Sequence, residues 1–219
     1  KENIISAIEI AAAVDADRHP KVPQVCIFFE NQLLQGNRSK KYNAENFKAF
    51  ISANYPVLAD VGIHIKFNDN AIHHPKKWGK PLVVNDRLST DVAVLKLFPG
   101  ISREYVDAVI GTANLRALIL ETFGSGNAPT SEWFIKTVKE CTDRGIIVLN
   151  VTQCNTGSVD MNSYANGMAL KEVGVISGYD ITIESAITKL YVLLGKYKDN
   201  REVKREFEEN ISGEFSKNN

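Results

Sequence analysis

The sequence predicts an α/β protein: a three-layer, parallel-sheet C-terminal domain preceded by the end of a larger α/β N-terminal domain. From Asp91 onward, short continuous apolar runs alternate with runs of helical period, the pattern of repeated βα units around a sheet buried on both faces. Before that point there is one helix pattern and one strand pattern, too little for a parallel sheet, because each βαβ unit needs two strands. Residues 1–66 are therefore expected to be the remainder of the N-terminal domain, 67–90 a linker, and 91–219 the C-terminal domain. A length of 219 residues with 44% hydrophobic and 24% charged is ordinary globular usage and allows a packed core.

Taken in order, Ile4, Ile8 and Ala11, with Ile5 and Ala12 beside them, read as the buried face of a first helix. The helix has no initiator methionine before it, so the chain is expected to open inside a domain. Val25 to Phe29 reads as a buried strand and Gln35 to Lys41 as a polar stretch. From Phe67 to Thr90 the chain is polar and without a period, as a linker would be. Val92 to Phe98 is then a strand, Pro99-Gly100 its turn, and Ser102 the N-cap of a helix through about Ile110. Ala117 to Leu120 is the next strand, and a helix from Ser131 to about Asp143 carries Phe134, Val138 and Cys141 on one face, stopped by Gly145. Ile146 to Val151 and Val173 to Ile176 supply two more strands. Thr182 caps a helix with Ile183, Ile187, Leu190 and Leu194 inward, ended by Gly195, and Val203, Phe207 and Ile211 mark a last surface helix.

Composition excludes several functions. The 26 basic and 26 acidic residues cancel, so no global field favours nucleic acid or an acidic membrane, and no apolar run approaches the ~20 residues that span a bilayer. Cys26, Cys141 and Cys154 lack metal-ligand spacing and cannot all pair, which points to free buried thiols in a reducing compartment. His73 and His74 have no carboxylate or cysteine partner at ligand spacing and read as solvated. No metal and no cofactor is expected.

The segment Glu121-Thr-Phe-Gly-Ser-Gly-Asn127-Ala-Pro129 stands out because a buried strand runs into a glycine-flanked asparagine and then a helix start. Two glycines let backbone approach a ligand, and Asn127 supplies a neutral amide with two donors and an acceptor oxygen. In open α/β sheets ligands collect at the carboxyl ends of strands. The same residues also suit a plain strand-to-helix connection.

That segment, Gly36-Asn-Arg38 with Lys41, Val61-Gly-Ile-His-Ile65, Phe98-Pro-Gly-Ile101, Asp143-Arg-Gly145, Val151-Thr-Gln-Cys154, Tyr164-Ala-Asn-Gly167 and Gly174-Val-Ile-Ser-Gly178 together resemble the type I, cytoplasmic L-asparaginase family along nearly the whole chain. The resemblance implies hydrolysis of asparagine to aspartate and ammonia by a threonine nucleophile, in a homotetramer built as a dimer of dimers. The family's two threonine motifs, Thr-Gly-Gly-Thr and Gly-Thr-Asp-Thr, do not occur here; the nearest string, Gly111-Thr-Ala-Asn114, lacks the aspartate. The chain thus resembles the C-terminal portion of such an enzyme, expected to be inactive alone.

By the resemblance, Lys41 matches the family's catalytic lysine, a base or relay for a hydroxyl nucleophile, against the alternative of a solvated surface lysine like Lys40. Asn127 matches an asparagine extended into a neighbouring subunit's pocket to bind the substrate's amino or carboxylate end. Tyr164 matches a residue of the same wall or is a half-buried core tyrosine, and Arg38 reads as an interface or structural cation. One departure stands out. Some family members bind asparagine at a second, allosteric site with arginine at the position of Glu121, threonine at Lys40 and cysteine at Cys154; only the cysteine is kept, so that site is expected to be absent or much altered. Two other functions fit the same residues: a non-catalytic binding or oligomerisation module, and the ammonia-releasing amidase subunit of a tRNA-dependent amidotransferase.

Overall fold

A computed structural model describes residues 2–45, 49–163 and 165–217. The chain divides into two units, Lys1–Val83 and Val84–Asn219.

The first unit opens with α1 (Glu2–Ala12), followed by β1 (Cys26–Phe29) and β2 (Gln32–Gln35), β3 (Lys40–Lys41) and β4 (Phe50–Ile51), β5 (Ala59–Val61) and β6 (Ile65–Phe67). β1, β2, β5 and β6 make an antiparallel sheet in that order, and β3 pairs with β4 as a separate hairpin. Glu30 and Asn31 join β1 to β2 with φ of 47° and 64°, the two left-handed residues that a twisted two-residue hairpin turn needs. Neither is glycine, so the turn has no Asn-Gly signature, and the sequence shows only the first of its two strands.

Leu33, Leu58, Ala59, Ala71 and Ile72 form the core of this unit, joined from α1 by Ile10. The expected face of α1 is not the buried one. Ile4, Ile5 and Ile8 are 66%, 57% and 63% exposed and Ala11 and Ala12 are also exposed, whereas Ile10 is 5% exposed. A helical period shows that a face is apolar, not what lies against it, and here the core of the unit meets the last turn of α1.

The second unit contains β7 (Val92–Lys96), α2 (Arg103–Ile110), β8 (Ala117–Thr122), α3 (Glu132–Asp143), β9 (Ile147–Thr152), α4 (Ala165–Glu172), β10 (Ile176–Ser177), α5 (Ile183–Lys196) and α6 (Asn200–Phe207). Its four strands are parallel in the order β10-β9-β8-β7, with Ala117 to Thr122 opposite Ile147 to Thr152. The sheet therefore grows in one direction. Crossovers of one hand then put α2, α3 and α4 on the same face, where Val106, Phe134, Val138 and Leu170 pack with Leu118, Leu120 and Val148. The other face, bearing Ala117, Ile119, Ile147 and Leu149, is closed by α5 and α6 through Leu190, Leu193, Val203 and Phe207. Strand residues alternate between these two cores, and none of β9 is exposed.

Several local expectations hold for stated reasons. Ser102 Oγ accepts the Tyr105 N–H at 3.3 Å and Thr182 Oγ1 accepts that of Ser185 at 3.2 Å, so both act as N-caps. Gly145, at φ 78°, follows the last residue of α3 as a stop should.

Others are corrected. α5 continues through Gly195 to Lys196, and Gly195 serves close approach instead: a methyl group there would sit 2.1 Å from the Arg87 carbonyl oxygen. The final helix ends at Phe207, leaving Ile211 57% exposed, because the next turn folds back around Lys189. The Lys189 ammonium donates to the carbonyls of Phe207 and Glu209 and to the Glu214 carboxylate, capping the end of α6. α4 carried too weak an apolar period to be read beforehand.

Candidate functional site

β8 and β9 end level with each other, Thr122 opposite Thr152. Past β8 the chain makes a closed loop. Phe123 and Asn127 exchange backbone hydrogen bonds, Phe123 N–H to Asn127 O at 2.9 Å and Asn127 N–H to Phe123 O at 2.8 Å. To close within five residues the backbone turns left-handed at Gly124 and Gly126, with φ of 49° and 108°. A side chain at Gly126 would also place its first carbon 2.8 Å from Val159 Cγ1.

Every carbonyl of this loop has a donor. Thr152 Oγ1 donates to Gly124 O at 2.5 Å, the Asp160 N–H to Ser125 O at 2.8 Å, and Asn150 Nδ2 to Gly126 O at 3.0 Å. Phe123 O accepts from both Gly126 and Asn127, and Asn127 O from Phe123. Asn150 and Thr122 are wholly buried, and the Asn150 amide is oriented by its oxygen accepting the Thr122 hydroxyl at 2.6 Å. Gln153 Nε2 ties the strand ends together by donating to Leu97 O at 2.7 Å and Glu121 O at 2.8 Å. The Asn127 side-chain amide, by contrast, makes no hydrogen bond with the described residues, and the residue is partly exposed. A rigid loop at the carboxyl end of a parallel sheet thus offers one uncommitted neutral amide, able both to donate and to accept.

Lys41 lies in the first unit on β3, exposed, with its ammonium 4.9 Å from the centre of the Phe50 ring. The desolvation that a relay lysine needs does not come from the described residues of that unit. Tyr164 lies outside the described residues. Arg38 is a structural cation: 3% exposed, it donates to Asn54 O at 3.0 Å and stacks its guanidinium 5.1 Å from the Tyr55 ring centre.

Burial pushes the Cys26 thiol up to about 11 and the Cys141 thiol upward, so neither is a ready nucleophile. Cys154 is exposed, against the expectation of three buried thiols, because it stands in the turn beyond β9 and not in the strand. Asp15, Asp17 and His19 bring ligand-type atoms within 4.8 Å of one another. Asp15 Oδ1, however, accepts the N–H groups of Asp17 and His19, and the His19 ring stacks on Trp78 at 4.3 Å, which accounts for the cluster as a local turn.

The sequence reading missed Asn150, Thr122 and Thr152 as parts of the loop. The signal was present. An asparagine inside the apolar run Ile146-Ile-Val-Leu-Asn150-Val151 is a buried polar group that must find partners.

Residues 91–207 match the glutaminase/asparaginase C-terminal domain, and residues 1–73 match the N-terminal asparaginase domain. The chain belongs to the asparaginase/glutaminase family. It is 38% identical to L-asparaginase 1 of Escherichia coli (strain K12) over 98% of this chain and 61% of that protein. It is also 39% identical to the 60 kDa lysophospholipase of Homo sapiens, over 94% of this chain and 34% of that protein. Its fold superposes on the crystal structure of L-asparaginase I from Vibrio cholerae O1 biovar eltor str. N16961 with a TM-score of 0.88, at 38% identity, covering 98% of this chain and 62% of that one. The chain spans about six-tenths of the length of these two bacterial asparaginases. Among the described residues no helix of this family member is long and apolar enough to cross a membrane.

Proposed function

We propose that this chain is part of an L-asparaginase, an amidohydrolase that releases aspartate and ammonia from asparagine through a threonine nucleophile outside these 219 residues. The observation that carries the reading is the uncommitted Asn127 amide, held on a loop whose carbonyls are all satisfied at the carboxyl end of the sheet. A zwitterionic substrate presents an ammonium and a carboxylate, and a neutral amide serves either one without a charge penalty. Lys41 takes the role of proton relay to the nucleophile and Tyr164 that of a pocket wall. No metal or cofactor enters the reaction. The subunits assemble as a homotetramer of paired dimers in the cytoplasm, where Asn127 closes a neighbour's pocket; likeness to L-asparaginase 1 supports this.

The test is ammonia release by the full-length protein, with asparagine and glutamine compared. Asn127→Ala is expected to raise KM by roughly 5- to 100-fold, the range of one or two lost polar contacts, with a smaller change in kcat. No release from either amide by the full-length protein would favour a non-catalytic binding or oligomerisation module. The 219-residue chain alone is expected to release none, and titration of the full-length protein is expected to show a single class of asparagine site, because Glu121 stands where a cation would be needed.

A further inference from the structure

We propose that Asn150 and Thr152 of β9 are positioning residues for substrate recognition. They form a two-pronged clamp that sets the aim of the Asn127 amide, and this rests on the reading of Asn127 as a substrate-binding group. The two residues are separated by one position, so their side chains leave the strand on the same side. Each grips a different carbonyl of the neighbouring loop. Thr152 Oγ1 takes Gly124 O at 2.5 Å, and Asn150 Nδ2 takes Gly126 O at 3.0 Å. The two glycines are the left-handed residues of the loop, the points at which it has most freedom to swing.

The clamp has a fixed polarity. Thr122 Oγ1 donates to Asn150 Oδ1 at 2.6 Å, which obliges the Asn150 amide to face its nitrogen toward Gly126. Thr152 also accepts the Cys154 N–H at 3.0 Å, so its hydroxyl proton is left for Gly124. Asn127 directly follows Gly126, and a rotation of the Gly126 peptide carries the Asn127 side chain with it. None of these polar groups reaches solvent to an extent that explains its presence: Thr122 and Asn150 are 0% exposed and Thr152 is 8% exposed. Buried polar groups of this kind are tolerated when satisfied, and an apolar residue of equal size at Asn150 would fill the strand core as well. The hydrogen bonds act on the loop, and through it on the substrate.

The deciding experiment is a double-mutant cycle in the full-length protein. Asn150→Asp keeps the acceptor for Thr122 and replaces the donor toward Gly126 by a carboxylate oxygen. It is expected to raise KM for asparagine about tenfold, the size of one well-placed hydrogen bond, with kcat within about twofold. In the Asn127→Ala background the same change is expected to add nothing, because the amide it aims is gone. An equal factor in both backgrounds, or an unchanged KM, overturns the proposal.

If Asn150→Asp does not fold, Thr152→Val removes the other prong and Thr152→Ser restores its hydroxyl; KM is expected to rise with the first and recover with the second, and failure of either overturns the clamp. A readout independent of activity is hydrogen exchange. The Gly126 and Asn127 amides are expected to exchange faster in the clamp variants while the Val148 amide does not change. Unchanged loop exchange defeats the clamp itself, whereas faster exchange with no ammonia release by the wild-type protein defeats only the asparaginase reading.

Discussion

Lys189 and Glu214 form a buried ion pair whose side chains are 7% and 4% exposed. The ammonium also sits 4.7 Å from the ring centres of Phe207 and Phe215, and burial pulls its pKa down against the opposing pull of Glu214. Burial raises the Glu214 carboxyl, but the hydrogen bond from Lys189 and those from the N–H groups of Ser212 and Ile211 outweigh it, leaving the carboxyl below its ordinary value. A carboxyl depressed on folding stabilises above its unfolded value, ~4.3, and loses that contribution as pH falls through the lower folded value. Urea midpoints measured from pH 6 downward are therefore expected to fall below about pH 4, and to fall less in Glu214→Gln. Lys189→Met strands the carboxylate and is expected to cost about 3–5 kcal/mol at pH 7 in the same assay. Little of this was legible in the sequence, where Lys189 is one lysine on an amphipathic helix and Glu214 one acid in a polar tail. Asn127 was legible because glycine neighbours mark a backbone constraint, and the residues holding it were not, because their contacts join strands distant in the chain.

At the level of the elements, what was readable depended on how each strand is buried. β8 and β9 read as continuous apolar runs because helices cover both faces, and their ends were placed within two residues. β2, β5 and β6 are three or four residues long and mostly part-buried, too short for alternation to rise above chance, so the antiparallel sheet went unread. Gly195 carries the clearest lesson. A glycine near the end of a helical pattern suggests a stop, yet α5 runs through it because residues 87–89 cross there, with the Ser89 N–H on Tyr191 O at 3.1 Å. In an exposed helix Gly→Ala gains roughly 1 kcal/mol, but here the added methyl meets main chain that cannot swing aside. Gly195→Ala is expected to be destabilising by about 1–3 kcal/mol, read as a fall in Tm of roughly 2–10 °C.

For the molecule as a whole, the order of strands dictates the order of helices. A sheet that adds its strands in one direction sends its crossovers to one side, so the opposite face stays uncovered until α5 and α6 arrive at the end of the chain. The sequence showed repeated βα units without showing this asymmetry, since same-side crossovers follow from handedness and not from composition. Ending the chain after Tyr197 removes Val203, Phe207 and Phe215, all buried against that face, together with both carbonyl partners of Lys189. Calorimetry of the truncated protein is expected to show no cooperative transition for the second unit. It also removes Asn200, whose side chain accepts from the Arg116 guanidinium at 2.7 Å and donates to Gly145 O at 2.7 Å.

The loop between Phe123 and Asn127 has a thermodynamic consequence. Fixing five residues costs roughly 5–10 kcal/mol of conformational entropy, and because all their carbonyls already hold donors, that cost is met when the protein folds. A ligand arriving at Asn127 meets a surface that has nothing left to order, so its association should carry a small entropic penalty and a heat-capacity change set only by the area it covers.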